Sequence, residues 1–197
     1  MPKISAAARE VVQKPLSLWY PESVEERIYG FPPVTGEAPK VLILGSMPSV
    51  RSLAMQQYYG HPRNHFWEIV FRVLGKALPE EYPERIEGLK ASGIALWDAI
   101  SHCRREGSLD QAIEEEVFND VGGFIRRHPS LRLVVFNGRK AEQAFRSGVL
   151  EQDSGDVEQR CRYLRLPSTS PIPTRKYRNL ADKLEAWMVI AEYLDGE

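Results

Sequence analysis

The sequence has only two cysteines among 197 residues, no long apolar run and a formal net charge of −1 at pH 7. Cys103 and Cys161 lie far apart without a CxxC pair. We therefore expect no zinc site, no iron–sulfur cluster and no other metal or cofactor. A membrane-spanning helix needs roughly 20 apolar residues, so we expect no membrane association. Charged residues stand near the N-terminus where a signal peptide would be apolar, which predicts a cytoplasmic protein.

Several phosphate-binding and nucleophile motifs are also missing. The stretch "GSMPS" at 45–49 follows the apolar run "KVLILG" but does not match the nucleophile elbow G-x-S-x-G. Neither a Walker loop nor the dinucleotide motif G-x-G-x-x-G occurs. Two interpretations of this stretch remain open. Gly45 and Pro48 either turn the chain after a strand, or they belong to a functional loop.

Basic residues are concentrated in two segments without acids, residues 40–67 and residues 160–179. The net charge argues against a protein that coats nucleic acid by bulk electrostatics. The two segments would form a cationic face if the fold brought them together, whereas scattered solvated arginines are the alternative.

Apolar runs and helical periodicities alternate along the chain. Short apolar runs predict buried strands at 40–45, 93–98, 131–138 and 161–167. Helical spacing predicts helices at 66–74, 119–128, 138–148 and 177–194, with Asn119 as the N-cap of the second. This alternation predicts an α/β fold, a three-layer sandwich in which helices flank a mainly parallel four-stranded central sheet.

Small polar residues follow each predicted strand, in the segments "GSMPS", "WDAISH", "FNGRK" and "LPSTSP". Ligands bind at the carboxyl ends of the strands in such folds, so these segments should converge on one cleft. Tyr58, Tyr59, His61, Arg63 and Asn64 lie together in one loop before a predicted helix, a position where sites are often built.

Four segments in this order resemble the uracil-DNA glycosylase superfamily, and most closely its hypoxanthine (deoxyinosine) DNA glycosylase branch. They are "LILGSMPS", "QQYYGHPRNHFW", "GIALWDAISHCRREGSLDQAI" and "LPSTSP". The resemblance runs from about residue 29 to the end. It predicts one domain at 29–197, and the proline-containing residues 1–28 are interpreted as an N-terminal extension.

The resemblance implies a monofunctional glycosylase that flips a deaminated base, preferably hypoxanthine, out of DNA and hydrolyses its N-glycosidic bond in base excision repair. The implied partner is DNA containing deaminated bases, and we expect a monomer. A uracil- or mismatch-directed glycosylase of the same superfamily is one alternative. A non-catalytic α/β domain that binds a nucleotide or a nucleic acid is the other.

The resemblance also assigns roles to the loops. It implies that Gly45, Ser46, Met47, Pro48 and Ser49 form the wall beside the flipped base, with Ser46 near the attacking water. It implies that the last loop inserts into the duplex and binds phosphate, through Ser168, Thr169 and Ser170. Glycine allows close approach to a ligand, and serine hydroxyls can hold phosphate oxygens.

Other residues around these loops are candidates from their chemistry. Tyr58, Tyr59 and Trp97 could stack on the extruded base or belong to the core. Candidate DNA contacts outside the last loop are His61, Arg63, Arg175 and Lys176.

The sequence departs from relatives at two catalytic positions. Ser46 and Met47 stand where some relatives carry Asp or Asn, and Leu166 stands where others carry histidine. Neither substitute is a good base. Asn64 is the nearest amide, and we expect it to orient the attacking water. The alternative is that Asn64 caps the helix predicted to begin at His65.

Asp98 stands where uracil-reading relatives place an asparagine that pairs with the base. An ionised carboxylate offers only acceptors. Asp98 must therefore be protonated, leave the base carbonyl to backbone donors, or point away from the base. We expect a preference for hypoxanthine over uracil, whereas a structural acceptor for loop amides is the alternative role.

Overall fold

The computed structural model describes residues 27–150 and 156–195, without the side chain of Leu150. Most of the predicted N-terminal extension, residues 1–26, lies outside the described residues. None of the helices in the described ranges has the length and apolar character required to cross a bilayer.

The described chain contains seven strands and seven α-helices. The strands are β1 (Ile28–Tyr29), β2 (Val41–Gly45), β3 (Ile94–Asp98), β4 (Ile100–Arg105), β5 (Ile113–Phe118), β6 (Leu133–Asn137) and β7 (Arg162–Leu166). The helices are α1 (Val50–Met55), α2 (Phe66–Val73), α3 (Tyr82–Ala91), α4 (Val121–Arg127), α5 (Arg139–Phe145), α6 (Leu180–Trp187) and α7 (Ala191–Leu194).

A four-stranded parallel sheet forms the centre of the fold, in the order β3-β2-β6-β7. Every residue of β2 and β3 is buried, which explains why these strands are nearly continuous apolar runs. All four strands predicted from the sequence belong to this sheet. Their carboxyl ends lie at one edge, where the predicted cleft should form.

Helices cover both faces of the central sheet. Val41 and Ile43 point to the face covered by α2, α3 and α6, where Phe66 and Trp187 are buried. Leu42 and Leu44 point to the opposite face and contact the buried side chains of α4 and α5. Alternate side chains of a strand point to opposite faces, so β2 supplies both cores. The predicted three-layer α/β sandwich is confirmed.

A second, three-stranded sheet was not predicted. Its order is β1-β4-β5 and its pairs are antiparallel. Of the segment "WDAISH", which was expected at the cleft, Asp98 lies there, whereas Ile100–His102 belong to β4 of the second sheet. These strands are rich in charge, and Arg104 of β4 pairs with Glu115 of β5 at 2.8 Å. Such strands lack the apolar pattern from which the other sheet was predicted.

The helix boundaries differ from the prediction in three places. The segments that form α1 and α3 were not predicted to be helical. The last predicted helix is interrupted, because a 3-10 turn at Met188–Ile190 separates α6 from α7.

Asp120, and not Asn119, is the N-cap of α4. The Asp120 Oδ1 accepts a 2.8 Å hydrogen bond from the Gly123 N–H. The Asn119 Nδ2 instead donates to the Asp98 carbonyl at 2.9 Å, which ties the start of α4 to the end of β3. The predicted cap was therefore one residue too early.

The Asp120 cap can be tested by its effect on stability. We expect Asp120→Ala to lower the free energy of unfolding by about 1 kcal/mol, because it leaves an N–H of the first turn without its acceptor. Asp120→Asn keeps the acceptor and should stay close to the wild type. Urea unfolding of the three proteins measures the difference, and an alanine variant as stable as the wild type would contradict the assignment.

Candidate active site

The strand ends of the central sheet enclose a cavity of about 370 Å³. This volume lies within the roughly 300–1,000 Å³ of small-molecule sites. Its lining combines four segments of the chain: 45–49, 58–64, 108–110 and 168–172, together with Ser52, Asp98 and Asn137. A cavity of about 600 Å³ lies beside β5 and α4 and shares no lining residue with the first. The smaller cavity holds the candidate site because the predicted cleft segments meet there.

Gly45 allows the closest contact in this cavity. A Cβ at position 45 would lie 2.2 Å from the Asp98 Oδ1 and 3.0 Å from the Tyr59 hydroxyl. No side chain fits at that distance, so glycine is required for Asp98 to hold its position. The close approach expected at Gly45 is therefore made to a neighbouring side chain of the protein.

The other residues of the loop at 45–49 also lie at the cavity, but their hydroxyls are already engaged. Ser46 donates a 2.7 Å hydrogen bond to the Asp110 Oδ1. Ser49 is the N-cap of α1 and accepts from the Ser52 N–H at 3.2 Å. Met47 is buried and Pro48 lines the cavity wall. The loop is held by its own contacts, which favours a preformed wall.

Tyr58 and Tyr59 lie at the base of the cavity and have different environments. The Tyr58 hydroxyl donates to the Phe31 and Pro32 carbonyls at 3.3 and 3.2 Å, and its side chain is buried. The Tyr59 ring stacks on Phe66 with centroids 3.8 Å apart. Burial, followed by the charge of Asp98, raises the pKa of both tyrosines. Both hydroxyls therefore stay protonated.

Trp97, the third candidate for stacking, is a core residue. It is buried, packs against Phe124 and donates its indole N–H to the Phe31 carbonyl at 3.1 Å. Trp97 does not line the cavity.

Asn137 connects Tyr59 to the last loop, although no role was predicted for Asn137. Its Nδ2 donates to the Tyr59 hydroxyl at 2.9 Å and to the Thr169 Oγ1 at 3.0 Å. Its Oδ1 accepts from the Thr169 N–H at 2.8 Å. Asn137 is the last residue of β6, so an asparagine at the carboxyl end of a central strand was the available signal.

The last loop, residues 167–171, rests on buried donors. The Trp187 indole N–H donates to the Pro167 carbonyl at 3.0 Å, and the Lys183 Nζ donates to the Ser170 carbonyl. Burial lowers the pKa of Lys183, whose side chain is almost inaccessible. Thr169 is fully buried and Ser168 is exposed. Thr169 thus supports the loop, and Ser168 faces outward.

Asn64 lies at the cavity and at the start of α2. Its Oδ1 accepts a 3.0 Å hydrogen bond from the Phe66 N–H, but the N-cap of α2 is His65, so the capping position considered for Asn64 was one residue too early. Its Nδ2 has no hydrogen-bond partner among the described residues. An amide oxygen has two lone pairs. Asn64 can therefore support the helix and still accept a hydrogen bond from water.

The remaining predicted DNA contacts divide into two groups. His61 and Arg63 line the cavity, and the His61 Nδ1 accepts from the Arg63 N–H at 3.1 Å. Arg175 and Lys176 lie beyond the last loop and do not line the cavity. The Lys176 Nζ lies 5.1 Å from the centre of the Tyr177 ring, an arrangement that keeps the ammonium at the surface.

Asp98 is the most unusual side chain of the cavity. It is 3% exposed, and its Oδ2 has no hydrogen-bond partner in the described part of the chain. Burial, followed by the charge of Asp110, raises its pKa from 3.8 to about 7, against the opposing effect of Arg105. A substantial fraction of Asp98 is therefore protonated at neutral pH. A protonated carboxyl offers a donor as well as acceptors.

Comparisons with known proteins agree with the fold. The family model of the uracil DNA glycosylase superfamily matches residues 32–191. A protein named hypoxanthine DNA glycosylase from Methanosarcina acetivorans is 46% identical over 113 residues, 57% of this chain and 72% of its own. A protein of the same name from Methanosarcina barkeri is 42% identical over the same shares.

A solved structure from Methanosarcina acetivorans has a similar fold. It is a solution NMR structure of a protein provisionally described as a uracil DNA glycosylase. It superposes on this chain with a TM-score of 0.72 at 34% sequence identity. The match covers 87% of this chain and 100% of that chain. The resemblance stated from the sequence is confirmed. The chain therefore belongs to the uracil DNA glycosylase superfamily, and it is a DNA glycosylase.

Proposed function

We propose that this DNA glycosylase is monofunctional, flips deaminated bases out of DNA and prefers hypoxanthine, acting in base excision repair. The observation that carries the proposal is the buried Asp98 carboxyl without a partner among the described residues, in the wall of a polar cavity. The names of the two Methanosarcina relatives support the choice of base. We further expect a cytoplasmic monomer that needs no cofactor.

The reaction requires an oriented water molecule and hydrogen-bond donors for the leaving base more than it requires a strong nucleophile. Breaking the N-glycosidic bond develops positive charge on the sugar and negative charge on the leaving base. The base must first leave the stack, which costs a few kcal/mol and costs less for a mispaired, deaminated base. A preformed polar cavity at the strand ends is suited to hold such an extruded base.

The Asp98 carboxyl is the group proposed to pair with the edge of the extruded base. In its protonated form it donates one hydrogen bond and accepts another, which pairs with the O6 carbonyl and N1–H of hypoxanthine. Uracil presents the same kind of pair, so the preference for hypoxanthine is supported by the names of the two relatives. Its Oδ1 packs against Gly45, so the side chain has little freedom to turn away. The neutral form also avoids repulsion of the negative charge that grows on the leaving base.

The loops around the cavity provide the DNA contacts in this proposal. Ser168 and Ser170 lie on the last loop, and His61 and Arg63 lie on another loop of the same cavity. Arg175 and Lys176 follow that last loop in the chain and add positive charge. Phosphate contacts of this kind position the duplex without reading its sequence.

Base preference is tested by single-turnover excision from duplexes that contain one inosine or one uracil, with alkaline cleavage of the abasic product. We expect excision of hypoxanthine and weak or absent excision of uracil. Asp98→Asn should raise the uracil-to-hypoxanthine rate ratio about tenfold, the effect of one hydrogen bond of about 1.4 kcal/mol.

Three outcomes would contradict these assignments. Binding without strand scission for any deaminated base would favour a non-catalytic DNA-binding domain. A wild type that prefers uracil would make the protein a uracil-directed glycosylase. Equal losses on both bases in Asp98→Asn, with lower thermal stability, would make Asp98 a structural residue.

Asn64 is proposed to orient the attacking water. We expect Asn64→Ala to lower the single-turnover rate about 100-fold, the effect of one positioned catalytic group, with little loss of DNA affinity. Asn64→Ser is the matched control for the helix, since a serine hydroxyl can accept from the N–H two residues on, as Asn64 does, but carries no amide. A serine variant with the wild-type rate would restrict Asn64 to its contact with the Phe66 N–H.

Arg175 and Lys176 are proposed to bind phosphate. Replacing both by alanine should weaken binding to any duplex and reduce the slope of log K against log salt by about 2, roughly one unit for each lost phosphate contact. Lys90→Ala is a suitable control, because Lys90 lies on α3 and pairs with Glu87. Fluorescence anisotropy over a salt series measures the slopes, and an unchanged slope would remove both residues from the interface.

A further inference from the structure

A second acidic side chain, Asp110, lies at the cavity beside the loop at 45–49. Asp110 begins a 3-10 turn, Asp110–Ala112, in the connection between β4 and β5. It lines the cavity together with Ser108 and Leu109, and its Oδ1 accepts the hydrogen bond from the Ser46 hydroxyl at 2.7 Å. No role was predicted for it from the sequence.

The connection that carries Asp110 is attached to the loop at 45–49 from both sides. The Arg105 guanidinium donates to the Pro48 carbonyl and, through its Nε, to the Gly107 carbonyl at 3.0 Å. The Val50 N–H donates to the Ser108 Oγ at 3.0 Å. These contacts hold the Asp110 carboxylate against the wall of the cavity, so its position is preorganised.

The two carboxyl groups of the cavity have opposite environments. Asp98 is buried and its Oδ2 lacks a partner among the described residues, whereas Asp110 is exposed and accepts from Ser46. After burial, the negative charge of Asp110 is the next cause that raises the pKa of Asp98. Other groups that interact electrostatically with the pair are Arg105, Tyr58 and Tyr59. Two carboxyls in different environments are a frequent arrangement for acid–base catalysis.

We propose that Asp110 is a further catalytic residue, whose carboxylate at the cavity accepts a proton from the attacking water while the buried Asp98 carboxyl contacts the leaving base. This proposal rests on the proposed function. Asn64 is neutral, so it can orient water but cannot take its proton. The negative charge of Asp110 also stabilises the positive charge that develops on the sugar.

The step balances without any further reactant. The bond from C1′ to the base nitrogen breaks, its electron pair leaves with hypoxanthine, and the Asp98 carboxyl gives its proton to the base. The water oxygen bonds to C1′ and its proton passes to Asp110. Return of that proton from Asp110 to Asp98 through solvent restores both groups. The net reaction converts deoxyinosine in DNA and water to an abasic site and hypoxanthine.

Asp110→Asn separates the charge of Asp110 from its contact with Ser46. Asparagine keeps an oxygen that accepts from Ser46, but it carries no charge and takes no proton. We expect the single-turnover rate on inosine duplexes to fall about 100-fold, with melting temperature and DNA affinity close to the wild type. Glu106→Gln removes one charge from the same connection outside the cavity lining and should keep the wild-type rate. Ser46→Ala removes only the hydrogen bond and should cost less than Asp110→Asn.

The pH dependence provides a readout that a purely structural role would not change. The wild-type rate should fall as pH passes about 7, where Asp98 loses its proton. Asp110→Asn should move this fall to lower pH, because the charge of Asp110 contributes to the raised pKa of Asp98, and should lower the rate about 100-fold at pH values below the fall. Because the two carboxyls interact, the fall reports an apparent value for the pair.

The outcomes distinguish this proposal from the proposed function. An active wild type with an equally active Asp110→Asn overturns the role of Asp110 alone. The same conclusion follows if the loss in Asp110→Asn disappears at pH values where both proteins keep Asp98 protonated, or if Ser46→Ala and Asp110→Asn lose equal activity. A wild type that excises no deaminated base overturns both proposals.

Discussion

The contact between the Asp98 carboxyl and the backbone of Gly45 is the constraint on which the cavity depends. It occurs where two adjacent parallel strands end in register, with Gly45 opposite Asp98. The carboxyl occupies the space that a Cβ at position 45 would take, so the strands approach there without a side chain between them. That contact keeps the Asp98 carboxyl buried, and the loss of solvation raises its pKa.

The rest of the site is built outward from those strand ends by hydrogen bonds between loops. Asn137 at the end of β6 joins Tyr59 to the last loop through Thr169. The His65 N–H, at the start of α2, donates to the Thr169 carbonyl at 3.0 Å. The loop with Asn64 and the loop with Ser168 are therefore parts of one connected network. Such a network costs little reorganisation when a ligand binds.

The central sheet could be predicted because β2, β3 and β6 are apolar on both faces, and the strand ends could be predicted to meet from topology alone. The second sheet could not, because β4 and β5 are stabilised by charge pairs such as Arg104 with Glu115. Asp110 was missed for the same reason: it reaches the cavity only through the unpredicted pairing of these strands. Asp98 was found from its position, but its unusual protonation depends on burial, which no local pattern encodes.

The buried ammonium of Lys183 has a consequence for how this enzyme can diverge. A buried charge must keep its acceptor, and here the acceptor is a main-chain carbonyl of the last loop. Exposed residues of that loop, such as Ser168, can be exchanged without removing the carbonyl, so their side chains are free to vary. Insertions or deletions between Ser170 and α6 would displace the carbonyl and leave the buried Lys183 ammonium without its acceptor. Sequence divergence in this part of the chain should therefore proceed by substitution, with the length of the segment unchanged.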